Sequence, residues 1–247
     1  MRYATAAVLL VVGMTAVSAQ SPSGSSQAPN LTGTWKRKGP IPGRPPNISP
    51  VTLAKARAIG FSNAFDEVLF PGYDCSPVSV PVILNDNYNF KITQQADRVI
   101  LNYEKEDVVR TVWLDGYGHP KPGVYDFTVQ GHSTGHYENN QLVIETTQFV
   151  FDPRGMHDSY IPSSTQKKVT ERYWREGDRL RMEAVTEDPL ILKEPFKYHY
   201  EWEPLKTELV PYDCDPSDSA FARKLFDKKK YEDPDLIHLR LPQYAPQ

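Results

Sequence analysis

Apolar and polar residues alternate with a period of two through almost all of residues 88–203. In "YNFKITQQADRVILNYE" the pattern puts Phe90 and Ile92, then Val99, Leu101 and Tyr103, on one face, with a turn at Ala96-Asp97. "VVRTVWLDG" follows a short charged turn at Lys105-Glu106-Asp107. "KKVTERYWREGDRLRMEAVTE" turns at Gly177-Asp178, and "FKYHYEWE" puts Phe196, Tyr198, Tyr200 and Trp202 opposite Lys197, His199, Glu201 and Glu203. With "LTGTWKR" at the start, the pattern predicts eight or nine antiparallel strands joined mainly by hairpins. A sheet of that size has edges to protect, and closure protects them. The expected fold is a mainly β, single antiparallel up-and-down barrel with two short flanking helices; a sandwich is the alternative. About eight strands leave an interior that is filled by side chains or holds one small ligand.

The helices are expected where the period changes. Ser49 is placed as an N-cap before Pro50, and Gly60 ends that run. "SDSAFARKLFDKKKYE" has Phe221, Leu225 and Phe226 at helical spacing and lysines in its last turns. Residues 233–247 read as an extended tail.

The stretch "GHSTGHYENNQLVIETTQF", residues 131–149, carries the densest candidate chemistry. Asn139-Asn140 suits a two-residue turn because Asn tolerates positive φ. That turn pairs Glu138 with Gln141, Tyr137 with Leu142, His136 with Val143, Thr134 with Glu145 and His132 with Thr147. One face therefore holds His132, Thr134, His136, Val143, Glu145, Thr147 and Phe149; the other holds Ser133, Gly135, Tyr137, Leu142, Ile144 and Thr146. Two orientations satisfy the pattern. Either the His/Glu face lines a cavity, where a carboxylate beside an imidazole fixes its tautomer for acid–base work, or Tyr137, Leu142 and Ile144 face the core and the histidines face water.

The next hairpin groups Val169, Glu171, Tyr173, Leu180, Met182 and Ala184. Glu171 on this apolar face has to be protonated, hydrogen-bonded or paired. Arg110, which shares a face with Val108, Val112 and Leu114, is a partner able to bind Glu171 or an anionic ligand group. His132 and His136 lie about 13 Å apart along a strand, so no metal site is expected from them. His119, in "GYGHPKPG", reads as a turn residue.

The chain's beginning adds a location. Arg2, the apolar run Ala6 to Val12 and Val17-Ser18-Ala19 have the form of a secretory signal over residues 1–19, too short to span a bilayer. Residues 20–30 read as a flexible leader. A net charge of −3 with mixed signs gives no basic stripe for nucleic acid, and no nucleotide, calcium or zinc motif is present. No organic cofactor, membrane span or partner protein is implied. The two cysteines recur in one phrase, Tyr73-Asp74-Cys75 and Tyr212-Asp213-Cys214. In an exported chain an even pair implies a disulfide, here closing a loop of about 140 residues and worth about 3–5 kcal/mol; free buried thiols are the alternative. Residues 31–232 are then one barrel domain with peripheral helices.

Gly33-Thr34-Trp35 resembles the Gly-x-Trp that opens lipocalin-type barrels. The ordered set Gly131-His132-Ser133-x-Gly135, Tyr137-Glu138 and Leu142-Val143-Ile144-Glu145-Thr146-Thr147-x-Phe149 is similar to an uncharacterised family of exported bacterial proteins. That family carries a Gly-His-Ser-x-Gly-x-Trp-Glu, Gly-Asp, Leu-Val-Val-Asp/Glu-Thr-Thr signature. His157 with Ser159, Glu171-Arg172-Tyr173 and Glu187-Asp188-Pro189 extend the resemblance over most of residues 31–203. Tyr137 stands for the usual Trp, Asn139-Asn140 for Gly-Asp, and Asp158 is inserted before Ser159. The resemblance implies a lipocalin-like barrel, with an arginine such as Arg110 or Arg172 against the first-strand Trp. It brings no reaction.

The function expected is an exported, periplasmic barrel for a small, partly apolar organic molecule, inclined to cofactor-independent acid–base catalysis by an isomerase, lyase or hydrolase. His132 is the expected base and Glu145 its orienter, with His157 or Glu171 as a second proton donor. Arg110, His136, Thr147 and Tyr173 are the expected substrate contacts. A non-catalytic carrier or sensor is the alternative.

Overall fold

Eleven strands form among the described residues, and buried and exposed side chains alternate along most of those that make the barrel. The computed structural model describes residues 28–38, 77–84, 88–114, 119, 123, 126–157 and 161–215, with the backbone alone at 153, 154 and 157. The strands are β1 (Gly33–Arg37), β2 (Phe90–Gln94), β3 (Arg98–Tyr103), β4 (Val109–Leu114), β5 (His132–Glu138) and β6 (Gln141–Thr147). They continue with β7 (Asp152–His157), β8 (Ile161–Ser163), β9 (Lys168–Glu176), β10 (Arg179–Glu187) and β11 (Phe196–Leu205). Nine of them close a barrel in the order β1-β11-β10-β9-β6-β5-β4-β3-β2, while β7 and β8 form a separate two-stranded sheet. Closure decides between barrel and sandwich.

The expected antiparallel up-and-down order needs a correction at one seam. β4 and β5 run parallel, with Val112 opposite Ser133 and Leu114 opposite Gly135. Parallel neighbours need a long crossover, and residues 115–131 between them are long enough to return the chain to the same end. The barrel is therefore mixed. Gly135 serves this seam: a Cβ there would lie 2.8 Å from Val112 Cγ1 and 3.0 Å from the Val143 carbonyl oxygen. The two helices expected over 49–60 and 218–232, the signal over 1–19 and the tail over 233–247 lie outside the described residues.

Elsewhere the turns lie where their residues require. Asn139 and Asn140 take φ of 48° and 59°, the left-handed pair that a tight hairpin uses. The resulting register pairs His132 with Thr147, Thr134 with Glu145 and Tyr137 with Leu142. Ala96-Asp97 and Gly177-Asp178 turn as their sequences predict.

Inside, the period of two becomes a packed core. β10 alternates so that Leu180, Met182 and Ala184 are buried between half-exposed neighbours. Each large apolar side chain so buried contributes about 1.5–3 kcal/mol. Phe90 meets Trp202 edge to face at 5.1 Å and stacks on Tyr103 at 5.5 Å. Trp35 is 1% exposed and donates its indole N–H to the Leu31 carbonyl at 3.0 Å. The cation over Trp35 is Arg175, 5.0 Å from the ring centre, in place of the Arg110 or Arg172 the resemblance implied.

A buried lysine fastens β7 to neighbouring segments. Lys167 Nζ donates to Ser79 Oγ at 2.7 Å and to the Val80 and Gly155 carbonyls at 3.0 Å. It also lies 4.0 Å from the Phe149 ring centre. Burial pushes its ammonium down to about 8, which Asp152 and Asp188 only partly offset. His157 ends β7, which pairs with β8.

Candidate functional site

The β5–β6 hairpin presents opposite faces to opposite environments. Ser133 and Thr146 are 3% and 0% exposed, whereas His132, Thr134, Glu145 and Thr147 are half-buried and His136 is exposed. The orientation left open by the sequence is thereby settled: the Ser/Thr face looks into the barrel, and the His/Glu face forms its outer wall.

Inside, the inward charges meet. Arg110 Nη2 donates to Glu171 Oε2 at 2.6 Å, Thr146 Oγ1 at 3.1 Å and Ser133 Oγ at 3.3 Å. Its Nη1 donates to Tyr103 Oη at 3.1 Å and Glu171 Oε1 at 3.3 Å. Tyr173 Oη donates to Glu171 Oε1 at 2.8 Å, and the Ser133 and Thr146 hydroxyls share a 2.9 Å bond. Burial alone would lower the Arg110 guanidinium, but the Glu171 carboxylate overrides it and the net direction is upward. Burial pushes the Tyr103 phenol up to about 12 and Tyr173 well above its ordinary value. Both phenols keep their protons at neutral pH; Tyr173 donates to Glu171, and Tyr103 accepts from Arg110. Arg110 Nε alone in this cluster has no hydrogen-bond partner among the described residues.

Outside, a second histidine joins the wall. His119 Nδ1 lies 3.1 Å from His132 Nδ1, with ring centres 5.3 Å apart and planes at 72°. His119 Nε2 is 3.2 Å from Thr134 Oγ1. Burial lowers both imidazoles, and for His119 the neighbouring His132 lowers it further. Two neutral rings at this distance share one proton, so one Nδ1 donates and the other accepts. Among the described residues nothing bonds His132 Nε2. When His132 donates at Nδ1, its Nε2 is an acceptor facing outward.

The other expected site residues are dispersed. Glu145 pairs with Lys168 at 2.8 Å, so His119 takes the orienting contact to His132 that Glu145 was expected to supply. The Glu145 charge still acts on His119, raising it against burial. His136 lies 3.5 Å from Glu138, which also pairs with Arg172. Thr147 is the cross-strand neighbour of His132, and His157 pairs with Ile161 through the backbone of β7–β8. Arg110, Glu171 and Tyr173 come together, but in the interior, on the opposite side of the sheet from His132. Among the described residues no group of three or more metal-ligating side chains is assembled. Cys214 is disulfide-bonded; Cys75 lies outside the described residues.

Sequence reasoning missed His119, because a lone histidine in a Gly/Pro turn carries no periodic signal. It also missed the task of Ser133 and Thr146, although two hydroxyls on an otherwise apolar face were a signal of a buried polar partner. Lys167, in the charged run "QKK", gave none.

No protein-family model matches the chain, and no curated protein does. Among solved structures, a crystal structure of a "secretary abundant heat soluble (SAHS) protein" from Ramazzottius varieornatus is similar at 11% identity. The match covers 73% of this chain and 98% of that one, with a TM-score of 0.29. A likeness at that level supports nothing about function, and the barrel assignment rests on the strand pairing above.

Proposed function

We propose that this chain is an exported β-barrel that handles a small, partly apolar organic molecule at its outer wall, with His132 as a general base positioned by His119. The observation that carries the reading is the 3.1 Å contact between the two Nδ1 atoms. In the tautomer in which His132 donates at Nδ1 to His119, it is a neutral imidazole with an outward Nε2 lone pair, the state in which histidine accepts a proton near neutral pH. His119 and Thr134 are positioning residues, and His119 takes the role first assigned to Glu145. Arg110, Glu171 and Tyr173 belong to the barrel core in this reading. Apart from Arg110 Nε their polar atoms bond one another or their neighbours, and burial holds the Tyr173 phenol well above its ordinary value, so it transfers no proton at neutral pH.

The signal-like residues 1–19 support export, as does a disulfide at Cys214. A disulfide of this kind suits an oxidising compartment. The lipocalin-like resemblance and the exported bacterial family remain part of this proposal.

Incubating wild type, His132→Ala and His119→Gln with a small-molecule extract of the host organism, followed by mass spectrometry, tests it. Wild type depletes a compound that His132→Ala leaves intact, and His119→Gln slows the depletion and shifts its pH profile. A folded His132→Ala that depletes the same compound at the wild-type rate ends the catalytic reading. Binding to the histidine wall without depletion makes the protein a carrier.

A further inference from the structure

The large apolar side chains exposed among the described residues gather at one place. Tyr88, Val109 and Val210 are 39%, 56% and 67% exposed, and all three border the turn joining β3 to β4. There the segment 209–212 is tied back onto the turn: Glu104 Oε1 accepts the Val210 N–H at 3.1 Å, and Asp107 Oδ1 accepts the Tyr212 N–H at 3.2 Å. A cleft of about 300 Å³ opens between them, with Val109 and Val210 on its walls and the buried Tyr103 and Val108 in its lining. That volume lies at the lower end of the range for small-ligand sites.

Two further features distinguish the cleft. Glu106, Asp107 and Asp213 adopt φ of 54°, 50° and 53° at its rim, a left-handed conformation that aspartate tolerates better than glutamate. Glu104 and Asp107 both line the cleft, and no cation lies within ion-pair distance of either among the described residues. Burial opposes charge on Glu104, but bonds from Asn89 and Val210 outweigh it and hold the carboxyl below its ordinary range. The rim already holds one alkylammonium: Lys105 Nζ lies 5.3 Å from the Tyr88 ring centre and 5.4 Å from that of Tyr212.

We propose that the cleft between the β3–β4 turn and residues 209–211 binds a small organic cation, an ammonium group on an apolar body. The apolar part lies between Val109 and Val210, and the ammonium faces Asp107, with the buried Glu104 carboxylate, bonded to Asn89 and Val210, adding negative charge behind it. This site shares no residue with the histidine wall and does not depend on catalysis there.

Isothermal titration of the full, disulfide-intact chain with phenylethylammonium and with its neutral counterpart 2-phenylethanol tests the assignment. The ammonium binds about tenfold more tightly, and the preference shrinks as salt is raised. Asp107→Asn keeps an oxygen acceptor for the Tyr212 N–H but removes the charge, and reduces that preference by about fivefold. Val210→Ala weakens both ligands alike. Equal binding of the two probes, no binding of either, or an unchanged preference in Asp107→Asn overturns the proposal.

Discussion

The two faces of the β5–β6 hairpin are built from similar residues and reach opposite outcomes. On the inner face Ser133 and Thr146 give their hydroxyls to Arg110, and Glu171 neutralises its charge. On the outer face His132 has one nitrogen bound to His119 and the other without a partner among the described residues. A buried polar group left unpaired costs about 1–3 kcal/mol, and an unpaired charge costs more, so the inward charges Arg110 and Glu171 pair with each other, with Arg110 Nε the exception in the cluster. Water relaxes that requirement at the wall, where a nitrogen with spare capacity is stable. Saturated polar groups hold the barrel together, and unsaturated ones are where a ligand can be met.

The largest predicted effect tests the inner face. Glu171→Leu leaves Arg110 charged and buried without its carboxylate, and urea unfolding shows a loss of about 3–5 kcal/mol. Adding Arg110→Met restores most of that loss. A double variant as unstable as the single one would mean the pair is more than mutual compensation.

Lys167 extends the comparison to a cation held by neutral oxygens. Its folded value of about 8 is below the ordinary 10.5, so between those pH values the unfolded chain binds more protons. Stability from this group therefore rises from pH 8 toward 10.5, by at most about 3 kcal/mol. Tyr103 acts in the opposite sense: with its phenol near 12 in the folded state and 10 unfolded, its contribution falls as pH rises above 10. Denaturation series in wild type and Lys167→Met separate the two, because the rise from pH 8 disappears in the variant.

A smaller effect is expected of Thr146→Val, which removes one acceptor from Arg110 and one partner from Ser133. It costs about 1–3 kcal/mol, read from the same unfolding curves.

The smallest change in stability comes from the outer face. His132→Ala shifts unfolding by less than about 0.5 kcal/mol, although it removes the proposed base. NMR titration of wild type finds both imidazoles protonating below the ordinary 6.5, and His132→Ala raises the value for His119. Because the folded values are depressed, the pair's contribution is complete above 6.5 and declines as pH falls toward them. A large loss of stability in His132→Ala would instead make the wall part of the scaffold.

Much of the barrel could be read locally. Tyr103, Leu101 and Val99 share a face because successive strand residues alternate, and Asn139-Asn140 set the pairing of His132 with Thr147 because they accept positive φ. The parallel seam could not be read that way, because strand direction depends on where residues 115–131 deliver the chain. Nor could β7 and β8, whose short segments carry no sustained alternation. Within the site, Arg110 and Glu171 were recognisable as inward charges because each interrupts an apolar face. His119 was not, because its partner lies 13 residues on in another element.

The sequence by itself determined which side chains travel together: Ser133 with Thr146, His132 with Glu145, Glu171 with Tyr173. The two-residue repeat of an extended chain imposes those groupings before any folding. Only the tertiary structure decided which group turned inward. That choice depended on Arg110 arriving from β4 to meet Glu171 on β9, 61 residues away, and on His119 closing against the wall. Alternation assigns residues to faces; only long-range pairing gives a face its environment.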